Sequence, residues 1–79
     1  MLRLFSGEVI RFLRFHKGWG QEELARRSGL SQATISYIEN GTHRLTPRTR
    51  QKLMDTFEID EADLIAVFNH VQMMKQFEI

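Results

Sequence analysis

The stretch from Gln21 to Asn40, QEELARRSGLSQATISYIEN, constrains this chain more than any other. Its apolar positions Leu24, Ala25, Leu30, Ile35 and Ile38 recur at helical spacing, interrupted by Ser28-Gly29. A glycine at that point takes a left-handed backbone without a Cβ clash, so a first helix over 21–28 ends there. Ser31 supplies a hydroxyl that can accept an orphan amide of a second helix. The stretch therefore reads as two short helices joined by a tight turn and burying a shared side. Ala25 is small where the two helices must cross near the turn, which lets their backbones approach.

The flanks read as helices as well. Ser6 is placed to cap a helix of roughly 7–16, with Glu8 near its positive end and Lys17-Gly18 closing it. Val9, Leu13 and His16 form its inward stripe, widened by Ile10 and Phe12, while Arg11 and Arg14 point elsewhere. Trp19 is expected as a hydrophobic plug over the first two helices. Gly20 offers Gln21 no capping side chain, at a cost of roughly a few tenths of a kcal/mol. Thr46-Pro47 make an N-cap and first-position pair for a fourth helix carrying Leu53, Met54 and Phe57. Asp60, followed by Glu61 and Asp63, opens a fifth over about 61–78. That helix carries Leu64, Ile65, Val67, Phe68, Val71, Met74 and Phe77, with Met73 and Ile79 besides. A chain of 79 residues with six phenylalanines and one tryptophan suits a single small all-α core over 1–79.

The central stretch resembles the helix-turn-helix of the lambda-repressor-like (Cro/repressor, XRE) family. The likeness lies in Gln21, Glu23-Leu24-Ala25, Ser28-Gly29, Ile35 and Ile38-Glu39-Asn40-Gly41, and it runs from about Gly7 to about Leu64. It implies a five-helix domain with a central helix-turn-helix at 21–40, a C-terminal helix, and double-stranded DNA as partner. It also implies that Gln21 and Asn40 hydrogen-bond phosphates from either end of the motif.

The side chains of the second helix of the motif support that expectation. At about 100° per residue, Gln32, Ala33, Ser36, Tyr37 and Asn40 fall within about 140° of one another, while Ile35 and Ile38 face the other half. Gln32 can pair bidentately with adenine N6 and N7, and Ala33 can meet a thymine methyl. Tyr37 can donate to a base or a phosphate, and Ser36 is adaptable. Glu39 is acidic at the edge of this face. It is expected to be structural, paired with an arginine of a neighbouring helix such as Arg26 or Arg14.

The formal net charge is only +1, but it is divided: residues 1–52 carry +6 and residues 53–79 carry −5. The segment 42–52 holds four Lys/Arg and no acid. Within it, Arg44, Thr46 and Arg48 at the start of a helix are expected to hold phosphates. There is no cysteine, and His16, His43 and His70 lack ligand spacing, so no metal or cofactor is expected. No nucleophile elbow or phosphate loop occurs, so no catalysis is expected either. No apolar run reaches membrane length, and Met1–Phe5 is too quickly interrupted to be a signal peptide; a cytoplasmic setting is expected.

Together these features predict a sequence-specific transcriptional regulator, a repressor acting as a homodimer on a pseudo-palindromic operator with half-sites about 34 Å apart. The fifth helix carries more apolar surface than one small domain needs, so Phe68, Val71, Met74 and Phe77 are expected to pack against a second copy. The alternative is an antitoxin or protein-interaction module of the same fold, whose C-terminal helix binds a partner protein.

Overall fold

The computed structural model describes residues 5–77, and every regular element among them is α-helical. In chain order these are α1 (Gly7–Lys17), α2 (Gln21–Ser28), α3 (Gln32–Glu39), α4 (Pro47–Phe57) and α5 (Glu61–Lys75). The starts follow from capping chemistry. Ser6, Ser31, Thr46 and Asp60 each accept an amide of the helix that follows, and Asp60 and Asp63 close a reciprocal capping box. Gly20 precedes α2 without a side-chain bond.

The ends follow from backbone freedom. Gly29 turns the chain at φ 78° between α2 and α3, and Gly41 takes φ 80° just after α3. Glu58, after α4, does the same work at φ 58° without being a glycine. That left-handed conformation crowds its Cβ and stores strain in the turn into α5.

The core gathers Phe5, Val9, Ile10 and Leu13 with Leu24, Ile35, Ile38, Leu53, Met54, Phe57, Leu64 and Val71. Helix α2 packs on α3 and α4, and α1 packs on α3 and α5. The approach of α1 to α3 is close. A Cβ on Gly7 would lie 2.4 Å from the Ile38 carbonyl oxygen and 2.7 Å from that of Glu39. Only a glycine lets the start of α1 rest directly on the end of α3.

Two expectations for α1 are corrected. Arg14, read as pointing away from the core, is buried, and His16, read as part of the inward stripe, is exposed. The buried set is Val9, Ile10, Leu13 and Arg14, two adjacent pairs separated by four residues. Packing between α3 on one side and α5 on the other buries this pairing, and His16 lies beyond it, its ring stacked on Phe12 at 6.3 Å. Trp19 is indeed a plug, but it faces α4. Its ring stacks on Phe57 at 5.8 Å, and the Arg27 guanidinium covers it at 4.5 Å.

The fifth helix is shorter than expected. It ends at Lys75, with Gln76 and Phe77 in a turn; Ile79 lies outside the described residues. No helix among the described residues is long and apolar enough to cross a membrane.

Candidate nucleic-acid interface

Helix α3 is held from behind by one acidic side chain. Glu39 is buried, and Arg14 reaches it from α1 with two donors, Nε to Oε2 at 2.8 Å and Nη2 to Oε1 at 2.9 Å. Gln21, first residue of α2, donates its amide to the same Oε1 at 3.1 Å. Arg11 adds a charge at 3.6 Å and donates to the Glu39 carbonyl at 3.3 Å. Arg14 also donates to the Trp19 carbonyl at 3.1 Å, so it ties the α1–α2 connection to α3.

Of the two arginines considered for Glu39, Arg14 is therefore the partner. Arg26 pairs instead with Glu23, which Arg27 joins at 2.6 Å. Burial alone would push the Glu39 carboxyl up. The hydrogen bonds from Arg14 and Gln21, with the charges of Arg14 and Arg11, outweigh it and hold the group below its ordinary value. The Arg14 guanidinium is raised in turn, chiefly by its hydrogen bond to Glu39 and against the cost of its own burial.

The opposite side of α3 is open. Gln32 and Ala33 are exposed in its first turn, Ser36 is half-buried, and Tyr37 is 48 % exposed. Ile35 and Ile38 fill the core behind them. Asn40 is exposed at the end of the helix. The chain then folds back under Tyr37, whose carbonyl accepts from the Thr42 amide at 2.9 Å, the His43 amide at 3.2 Å and the Thr42 hydroxyl at 3.1 Å. This loop lays the His43 ring on the Tyr37 ring, centroids 4.8 Å apart and planes at 22°.

Beyond the loop lies the start of α4. Arg44 and Arg48 are exposed and form no ion pair among the described residues. The Thr46 hydroxyl is committed to the cap, accepting from the Thr49 amide at 3.2 Å and donating to the Thr49 hydroxyl at 3.0 Å. Arg50 belongs to the same basic run by sequence, yet it turns to Glu61 at the start of α5. The run therefore presents a narrower set of free charges than its composition implies.

The fold thus joins Gln21 to the end of α3 through Glu39, and Tyr37 to the loop that carries His43 and Arg44. Gln32 and Ala33 sit at the other end of α3, beside the turn from α2. One participant was missed in the sequence: His43 as the neighbour of Tyr37, which depends on a loop path that no periodicity reports. Arg14 was one of the two arginines expected for Glu39, and its spacing four residues after Ile10 was the available sign of its burial.

The four residues expected at a partner interface divide. Val71 is 6 % exposed and belongs to the core, a correction, because Leu64, Val67, Phe68 and Val71 form the stripe that α5 lays on the core. Phe68 is half-buried with it. Met74 is 42 % and Phe77 78 % exposed. Between α1 and α5 a cleft of about 210 Å3 is lined by Phe12, Phe15, Val71 and Met74, with Lys75 and Glu8 paired at 3.1 Å on its rim. No group of three His, Cys, Asp or Glu suited to a metal occurs among the described residues.

Comparison with known proteins agrees with this architecture. The family profile described as Helix-turn-helix matches residues 10–64. The competence pilus inhibition repressor of Acinetobacter baylyi is 39 % identical over 51 residues, covering 65 % of this chain and 46 % of that protein. Antitoxin HipB of Escherichia coli is 38 % identical over 51 residues, covering 65 % and 58 %. The chain spans about half the length of the curated relatives it matches. Among solved structures, the restriction-modification controller protein C.Esp1396I superposes with a TM-score of 0.74 at 30 % identity, over 86 % of this chain and 90 % of that one. The same controller bound to a 25 base pair operator site gives 0.72 at 29 %, over 89 % and 95 %.

Proposed function

Because this chain belongs to the lambda-repressor-like, XRE-type helix-turn-helix family, we propose that it is a sequence-specific double-stranded DNA-binding regulator of transcription. The observation that carries the reading is the open face of α3, with Gln32, Ala33, Ser36 and Tyr37 unburied above a helix anchored from behind by Glu39. Gln32 and Tyr37 read bases in the major groove, and Ala33 and Ser36 fill the contact. Gln21, Asn40, Arg44, Thr46 and Arg48 meet phosphates; for Thr46 the backbone serves better than its committed hydroxyl. No catalytic step is part of this reading, and its setting is the cytoplasm.

The regulator acts as a homodimeric repressor, two α3 helices entering successive major grooves of a pseudo-palindrome about one helical turn apart. The outer edge of Phe68, with Met74 and Phe77, contributes to the contact between copies. The test is selection from a random duplex pool at two salt concentrations. Enrichment of a two-fold-related site with a steep salt slope is expected. A protein that enriches no sequence would sink the claim of specificity.

Within the selected site, Gln32→Ala should cost about 1–3 kcal/mol and relax preference at one base pair per half-site. Arg48→Ala should weaken all sequences alike and lower the salt slope by about one. A second reading, an antitoxin-like module whose C-terminal helix binds a protein, is favoured by the exposed apolar end of α5 and the similarity to antitoxin HipB. Met74→Glu with Phe77→Glu separates them: loss of self-association with the heterologous partner unaffected would exclude it.

A further inference from the structure

We infer that His43 is a positioning residue for base recognition, holding Tyr37 in the orientation from which it reads DNA. The inference rests on the DNA-binding reading above and adds a residue to it. Tyr37 is the largest side chain on the open face of α3 and is 48 % exposed, so the fold covers only part of it. What lies against the ring is the imidazole of His43, at 4.8 Å and nearly parallel.

That position is built from the backbone upward. Gly41 at φ 80° turns the chain, and three donors of Thr42 and His43 converge on the Tyr37 carbonyl. The residue that must be oriented therefore anchors the loop that orients it. A ring free to rotate loses orientational freedom when it engages a base edge, whereas a ring already stacked has lost it beforehand. The gain falls on the matched site, where Tyr37 has a specific partner, and is absent on random duplex, where phosphate contacts dominate.

The experiment compares wild type, His43→Ala and His43→Phe on the selected duplex and on random duplex, each repeated in a Tyr37→Ala background. His43→Ala should lower the ratio of specific to non-specific affinity roughly three- to tenfold, the scale of one aromatic contact. Affinity for random duplex should change less than twofold. His43→Phe keeps the stack and should restore the ratio, and in the Tyr37→Ala background neither change should matter. In the free protein, the Tyr37 ring resonances should lose their ring-current shift in His43→Ala and regain one in His43→Phe.

If His43→Ala lowers both affinities equally, the residue is a phosphate contact and the inference is overturned. If the ratio is unchanged, it is overturned as well. A wild type with no sequence preference defeats the DNA reading itself, an outcome distinguishable because it appears before any variant is made.

Discussion

Helices α3 and α5 both leave one side uncovered, and they do so with opposite chemistry. Helix α3 buries Ile35, Ile38 and Glu39 and exposes Gln32, Ala33 and Tyr37. Helix α5 is nearly twice as long, yet only Leu64 and Val71 are buried on it, and it exposes Ile65, Met73 and Met74. A polar face loses little by staying in water, so α3 can stand ready for a ligand indefinitely. An apolar face remains a liability until something covers it. The difference also shows in how the two are fixed: α3 by a buried ionic clamp added to Ile35 and Ile38, α5 chiefly by a stripe of apolar packing.

The strongest way to break the comparison is to cut the clamp. Glu39→Gln leaves Arg14 buried without its counter-charge, and should cost about 3 kcal/mol in urea denaturation. The pH dependence carries the same information. Because the folded Glu39 carboxyl sits below its ordinary value, its stabilisation is present above the unfolded value and is lost as pH falls through the folded one. Acid titration of wild type should reveal that loss, and Glu39→Gln should flatten it. If the variant keeps the wild-type acid profile, Glu39 is not the group responsible.

Next in size is Gly7→Ala. The new methyl would meet the carbonyls of Ile38 and Glu39, forcing α1 off α3 at a cost of about 2 kcal/mol. An unchanged melting temperature would mean that this close approach relaxes without penalty. On α5, Met74→Glu with Phe77→Glu should leave the monomer folded, changing stability by less than about 1 kcal/mol, because both side chains are exposed. Light scattering should find self-association weakened at least about tenfold, equivalent to about 1.4 kcal/mol. The smallest change sharpens the turn into α5: Glu58→Gly relieves the left-handed strain and should stabilise by about 0.5–1 kcal/mol in thermal unfolding.

Much of this molecule was legible in advance. The caps at Ser6, Ser31, Thr46 and Asp60 are local chemistry between residues three apart, so the helix starts could be read directly. The amphipathic division of α3 is equally local, and Gln32, Ala33 and Tyr37 stand exposed as their angles imply. The site was less legible where side chains choose among distant partners. Arg14 and Arg11 look alike on paper and both reach the end of α3, but only Arg14 is buried there and hydrogen-bonds the carboxylate of Glu39, 25 residues later. Arg50 and Arg48 share one basic run, yet Glu61 takes the first and leaves the second free.

Sequence by itself determined five helices, their caps, the glycine turns and the separation of polar from apolar faces, because each is set by interactions within about one helical turn. Tertiary structure alone decided which charges are neutralised, that Gln21 supports Glu39, that Val71 faces inward and that His43 lies on Tyr37. Those outcomes depend on where helices cross and how loops return, and the balance of desolvation against pairing exists only once distant side chains have been brought together.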